Sequence, residues 1–245
     1  MEICIELIAF CPCLAVSNNL IFKDRRKKVD SFSRSMYYID MEKETSKQKI
    51  ASFIAKKGGY IRMKDIKAGS FRTSEIKQLV DDGILDKIKA GLYRLSNLEY
   101  PPNVNIGFVD VTKAIPGSVI CLISALSYYG LTTFNPPHIY VAIPNKRSAS
   151  KILFPPVKFF YFRDRFYSPG IETIATLYGN INIYGKEKSI CDMFRYRNKL
   201  GEDIAIEALK NYIREKSADL YKLKKYAEIC QVKNVLIPYL KALVG

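Results

Sequence analysis

The chain has no tryptophan and a single histidine, His138, in 245 residues. Its six cysteines, Cys4, Cys11, Cys13, Cys121, Cys191 and Cys230, include no C-x-x-C pair. A zinc centre needs four soft or imidazole ligands, and Cys11-x-Cys13 alone does not supply them. No cofactor or metal is therefore expected. Cys121, Cys191 and Cys230 sit in apolar helical surroundings and read as small core residues. Cysteine usage of this kind fits a reducing, cytoplasmic compartment. Long apolar runs are also missing. Residues 3–16 come closest, but Glu6 and Pro12 interrupt them. They fall short of the roughly 20 residues that span a bilayer, and no positive segment precedes them as in a secretory signal. No Gly-rich phosphate loop is present either, so no catalytic set is expected and the chain is read as a non-enzyme.

What is abundant is positive charge: 39 Lys and Arg against 24 Asp and Glu, a formal net charge of +15. Residues 41–98 hold 13 basic and 7 acidic groups, and residues 99–245 hold 20 and 12. The excess is densest in the first of these segments. A basic surface of this size attracts nucleic acid through its phosphates. No basic amphipathic helix of sufficient apolar strength points to a membrane. Residues 1–40 are nearly neutral, with 6 basic and 5 acidic groups, and do not resemble the rest of the chain. We expect them to be a non-native or disordered extension, with Met41, or less directly Met36, as the natural start. A membrane-associated or disordered arm is the rival reading.

Residues 46–95 carry the clearest pattern. A helix with Ile50, Phe53 and Ile54 on one face runs to Gly58-Gly59, and a short extended piece, Tyr60-Ile61-Arg62, comes next. A one-turn helix over 63–67 and a turn at Ala68-Gly69-Ser70 lead to a second full helix over 72–82, which Gly83 ends. Two strands over 84–88 and 92–95, joined by Lys89-Ala90-Gly91, close the segment. This order predicts a winged helix-turn-helix. With Phe71, Ile76, Leu79 and Val80 inward, helical spacing turns Thr73, Ser74, Lys77 and Gln78 outward, and Arg72 stands at the helix start. Those side chains are suited to base edges and phosphates. Lys87, Lys89 and Arg94 on the wing, with Arg62 and Lys64, are the expected phosphate contacts. A winged helix used only for protein contact remains the alternative at this point.

The domain plan places the winged helix over 41–97, a linker with Pro101-Pro102 over 98–105, and a second domain over 106–245. In that domain Ser118 reads as the cap of a buried helix over 119–129. Four strand-like runs come after it, over 139–143, 157–162, 171–177 and 181–184, the last two joined at Gly179-Asn180. From Lys186 onward the spacing is helical, with one stripe at Ala205, Ala208, Leu209 and Tyr212, another at Leu220, Leu223, Ala227 and Cys230, and a third at Leu236, Tyr239, Leu240 and Leu243. The expected fold class is α+β, a winged helix followed by a domain with a mostly antiparallel sheet and C-terminal helices.

Several blocks carry a family likeness. In the first half they are Gly59-Tyr60-Ile61-Arg62 into Asp65-Ile66, Leu79-Val80-Asp81-Asp82-Gly83-Ile84-Leu85 and Gly91-Leu92-Tyr93-Arg94-Leu95. In the second they begin with Gly117-Ser118-Val119-Ile120-Cys121-Leu122-Ile123-Ser124-Ala125-Leu126-Ser127 and Gly130-Leu131-Thr132-Thr133. Lys188-Ser189-Ile190-Cys191-Asp192-Met193-Phe194-Arg195-Tyr196-Arg197 and Gly201-Glu202-Asp203-Ile204-Ala205-Ile206-Glu207-Ala208-Leu209 are the most specific. On these blocks the chain from about residue 49 to its end resembles the AbiEi-type antitoxins of type IV toxin–antitoxin, or abortive-infection, systems. The resemblance implies a cytoplasmic transcriptional regulator that autorepresses its own operon by binding inverted repeats upstream. It also implies antagonism of a nucleotidyltransferase-like toxin, without the need for a stable complex, and a role in phage defence. Under it, Arg72, Thr73, Ser74 and Lys77 read the operator and the second domain carries the antitoxin activity.

In that second domain Asp192, Arg195, Arg197 and Glu207 form a candidate partner-contact cluster. Asp192 and Arg195 are three apart on a helix and able to pair, and the two arginines suit a phosphate or acidic partner. The plainer reading is that they lock two helices together. The expected solution state is a monomer, two of which fill an inverted repeat. Two other function classes stay open: a plain winged-helix regulator whose second domain senses a ligand or partner, and an enzyme drawing on Glu172, Glu187 and Lys188.

Overall fold

The structure, a computed structural model, describes residues 45–98, 105–149 and 151–244. The expected extension over residues 1–40 and Pro101-Pro102 of the expected linker lie outside them. Thr45 opens helix α1 (Ser46–Lys56) through a reciprocal cap: its hydroxyl accepts from the Gln48 N–H, and the Gln48 side chain accepts from the Thr45 N–H at 2.7 Å. Ile50 and Ile54 bury one face of that helix. Strand β1 (Tyr60–Arg62) runs straight into the short helix α2 (Met63–Ala68). Helix α3 (Thr73–Asp81) starts where the Glu75 carboxylate accepts from the Arg72 N–H at 2.9 Å, and it buries Ile76 and Leu79. Gly83, at φ 72°, makes the left-handed turn that ends it. Strands β2 (Leu85–Lys89) and β3 (Leu92–Leu95) form a hairpin with an irregularity between Lys87 and Lys89. The three strands make an antiparallel sheet in the order β1-β3-β2. Ile50, Ile54, Ile61, Ile66, Ile76, Leu79, Leu85 and Tyr93 form its core.

The second half is built on a five-stranded sheet in the order β6-β5-β4-β8-β7. These are β4 (Val119–Ile120), β5 (Ile139–Pro144), β6 (Val157–Phe162), β7 (Ile171–Thr176) and β8 (Gly179–Tyr184). The molecule is thus α+β. The second sheet, however, is mixed rather than mostly antiparallel: β4–β5 and β7–β8 are antiparallel, while β4–β8 and β5–β6 are parallel. The twelve residues 145–156 between β5 and β6 have the length of a crossover, not of a hairpin.

Strand alternation gives this sheet two apolar faces. Tyr140, Ala142, Phe162 and Tyr184 face one core, shared with α5 (Leu122–Tyr128), α7 (Lys186–Leu200), α8 (Glu202–Arg214), α9 (Leu220–Ile229) and α10 (Lys233–Val244). Val141, Ile143, Ile181 and Ile183 face the other, which packs on helix α4 (Ile106–Ala114). Of the expected stripes, Ala205, Ala208, Leu209, Tyr212, Leu223, Ala227, Cys230, Leu236 and Leu240 are buried, Leu220 and Tyr239 are half-buried, and Leu243 is exposed. Cys121, Cys191 and Cys230 are buried free thiols. Burial raises all three above the usual thiol range, Cys230 to about 12.

Two local readings change. The run over 119–129 is not one helix. Val119 and Ile120 are the central strand β4, and Ser118 caps no helix, its buried Oγ having no hydrogen-bond partner among the described residues. Helix α4 was not foreseen. Asn105 caps it by accepting from the Gly107 N–H at 3.1 Å.

The two halves share one core. Tyr60, Ile88 and Leu92 from the first sheet are buried among Phe108, Val109, Val111 and the strand residues of the second. Residues 43–245 form one compact unit. The expected boundary over 98–105 therefore falls between two sheets, each with a core of its own, that also meet in this shared one.

Candidate nucleic-acid interface

Burial of Ile76 and Leu79 fixes which way α3 faces. Arg72, Thr73, Ser74, Lys77 and Gln78 are all exposed, as helical spacing requires. Glu75 sits among them but is occupied. The Ser46 hydroxyl donates to it at 2.7 Å, and with the Arg72 N–H it holds the Glu75 carboxyl below its usual range. The outward surface of α3 therefore presents two cations, two hydroxyls and an amide. Lys87 on β2 is exposed as well.

The other expected phosphate contacts are placed differently. Arg94 is 6% exposed and is no phosphate ligand. Its guanidinium donates to Asp110 on α4 and, at 2.6 Å, to Asp86 on β2. The Tyr60 hydroxyl donates to the other Asp110 oxygen at 2.6 Å, and Ser96 Oγ donates to Asp86 at 3.1 Å. Burial raises the Asp110 carboxyl above its usual range, although Tyr60 and Arg94 pull the other way. Lys89 is also committed, since its ammonium donates to the Ala114 carbonyl at the C-terminal end of α4. Arg62 is exposed but donates to the Lys113 carbonyl at 3.2 Å. Lys64 is exposed and makes no ion pair among the described residues.

Arg62 and Lys64 instead line a cleft of about 280 Å³ together with Lys57, Tyr60, Asp65, Leu92 and Lys113. Lys57 and Lys113 were not singled out from the sequence. Lys57, at the C-terminal cap of α1 before Gly58-Gly59, carried a weak signal. Lys113 carried none, because the helix that positions it was not read.

The second-half cluster does not assemble as one site. Asp192 pairs with Lys188, four residues earlier on α7, and not with Arg195; both partners are fully buried. The Cys230 thiol donates to the other Asp192 oxygen at 3.4 Å. The Arg195 guanidinium stacks 3.5 Å from the centre of the Phe166 ring. Arg197 donates to the Phe194 carbonyl at 2.9 Å and approaches Glu202 at 3.6 Å, joining α7 to α8. Glu172 and Glu187 are bridged by Lys222, at 3.9 and 2.9 Å.

Glu207 ties α8 to the loop after α5. It accepts from Thr132 Oγ1 at 2.7 Å and from the Thr133 N–H and hydroxyl at 3.0 Å each. These bonds hold its carboxyl below the usual glutamate range, Thr132 contributing most. A lowered carboxylate stabilises above the unfolded-state pKa, and that stability is lost as pH falls through the folded one. Glu207→Gln is expected to cost on the order of 1 kcal/mol at neutral pH, with the gap closing in acid. Urea midpoints at both pH values measure it, and a gap that ignores pH would refute the assignment.

Among the described residues no group of three His, Cys, Asp or Glu side chains is arranged to hold a metal ion, and no helix is long and apolar enough to cross a membrane. Compared with protein-family models and with curated proteins, the chain matches none.

Proposed function

We propose that residues 45–95 are a winged helix-turn-helix that reads double-stranded DNA, and that the chain is the autorepressing antitoxin of a type IV toxin–antitoxin system. The observation that carries the DNA reading is the outward face of α3. Arg72, Thr73, Ser74, Lys77 and Gln78 are exposed together on a rigid helix, beside a hairpin with an exposed Lys87. The element order, with the sheet order β1-β3-β2, suits a recognition helix flanked by a wing. The net charge of +15 supplies the long-range attraction. The antitoxin part rests on the resemblance of the blocks over 117–133 and 188–209. The cognate toxin is a nucleotidyltransferase-like protein, antagonised without the need for a stable complex.

The test is binding of the full chain to a fragment from upstream of its own operon, against excess unrelated DNA at physiological salt. Selective, saturable binding in two steps is expected. Arg72→Ala and Lys77→Ala are each expected to lose about 1–3 kcal/mol of discrimination, the worth of a base contact. Both should still rescue cells from the neighbouring toxin. Binding that unrelated DNA competes away equally would sink the reading of α3, and loss of rescue in these variants would sink the division of labour between the two halves.

A further inference from the structure

The cleft beside α2 has a charge imbalance that its own side chains leave standing. Four cations, Lys57, Arg62, Lys64 and Lys113, line it with one carboxylate, Asp65. Asp65 is already taken: Lys57 pairs with it at 3.1 Å, and it accepts from the Arg62 N–H at 3.1 Å. Among the described residues, Arg62, Lys64 and Lys113 form no ion pair with a carboxylate. Asp110, the nearest acid to Lys113 along α4, is consumed by Arg94 and Tyr60.

Lys113 is the informative member, because its position is costly. It is half-buried, with its ammonium 4.6 Å over the Tyr60 ring. The Tyr60 ring is held by its own bond to Asp110, which makes it a fixed wall. The start of β8 also packs against the lysine. A Cβ on Gly179 would stand 3.0 Å from both its Cε and its Nζ. Burial, and then the nearby charge of Arg62, lower the Lys113 pKa, and the pull of Asp110 offsets them only in part. An anion between Lys113, Arg62 and Lys64 would relieve both effects. Arg62 spends one nitrogen on the Lys113 carbonyl and keeps further N–H groups for an oxyanion. The volume, about 280 Å³, admits a phosphate and little more than an attached sugar.

We propose that this cleft is a phosphate-binding site, in which Lys113, Arg62 and Lys64 hold phosphoryl oxygens against the Tyr60 wall. The phosphate belongs either to a small phosphorylated ligand or to a nucleic-acid backbone. Neither source requires α3 to read bases, so the site stands independently of the DNA reading above.

The experiment uses the full chain, with inorganic phosphate and pyrophosphate titrated by calorimetry at low salt. In parallel, the salt dependence of binding to the upstream duplex is measured. Lys113→Gln and Lys64→Gln are compared with Lys210→Gln, which removes an exposed charge from α8. Lys64 is exposed on its helix, so its variant reports even if Lys113→Gln disturbs folding. For a small-molecule site, pyrophosphate affinity falls about tenfold in both test variants and not in the control. For a backbone site, free anions show no such difference, but each test variant lowers the duplex salt slope by about one unit. If neither quantity separates the test variants from Lys210→Gln, the site does not exist. If the wild-type chain binds no duplex at all, the DNA reading fails and the pyrophosphate titration alone decides the cleft.

Discussion

Asp192→Ala is expected to lower the unfolding free energy by about 3–5 kcal/mol, the range for stranding one half of a buried ion pair. Lys188 and Asp192 are both fully buried, on adjacent turns of α7. Lys188 has good company besides its partner, with its ammonium 4.4 Å from the centre of the Tyr184 ring and 5.3 Å from that of Phe162. Those rings cannot replace a carboxylate, and both charged groups are closed off from solvent. Desolvation pushes the Asp192 carboxyl upward, and the charge of Lys188 is the main opposing influence. The pair is therefore a costly feature whose members depend on each other. Replacing both, as Lys188→Met with Asp192→Leu, is expected to recover most of the loss. Urea denaturation of the single and double variants measures this. A single variant within about 1 kcal/mol of wild type, or a double variant no better than the single, would contradict the account.

Asp110→Ala is expected to be the second most damaging substitution, at about 3 kcal/mol, the low end of the same range, because Arg94 keeps Asp86 as a second partner. Its distinctive signature is spatial. Asp110 lies on α4, while Tyr60 and Arg94 lie on the first sheet. Losing the carboxylate weakens the seam between the halves before it weakens either interior. Amide exchange in β1 and β3 is expected to accelerate more than in α7. Asp110→Asn, which retains a carbonyl acceptor for Tyr60, is expected to cost less. Uniform acceleration across both halves would show that the network serves global stability and not the seam.

Much of the first half was legible because its helices are amphipathic. In α3 the inward set at Ile76 and Leu79 and the stop at Gly83 come from spacing and backbone chemistry, so the exposed set was legible too. Strand β4 was not. Val119 to Leu126 is buried on every side, and a run with no polar face has no period to read. Helix α4 was hidden for the same reason, with Phe108, Val109, Asp110 and Val111 all buried. That omission propagated to the site. Arg94 looked like a phosphate contact because its counter-ion lies on a helix the spacing does not announce. Asp192 was expected to meet Arg195, three residues away. It meets Lys188 because that lysine lies four residues earlier in the same buried row, while Arg195 is drawn to Phe166. Proximity in sequence shows who can reach whom, but burial decides who must.

The shared core also limits how the molecule can be taken apart. Residues 41–97 cut free of the rest would carry Tyr60, Ile88 and Leu92 as a bare adhesive underside, with Arg94 deprived of Asp110. The hairpin would lose its moorings as well, since Lys89 is fastened to Ala114 and the Ile88 carbonyl accepts from the Leu153 N–H at 2.9 Å. The head is thus not a cassette to be exchanged among chains at a linker. A transplant would have to carry α4 and its footing with it, so the place to cut is on the far side of that helix.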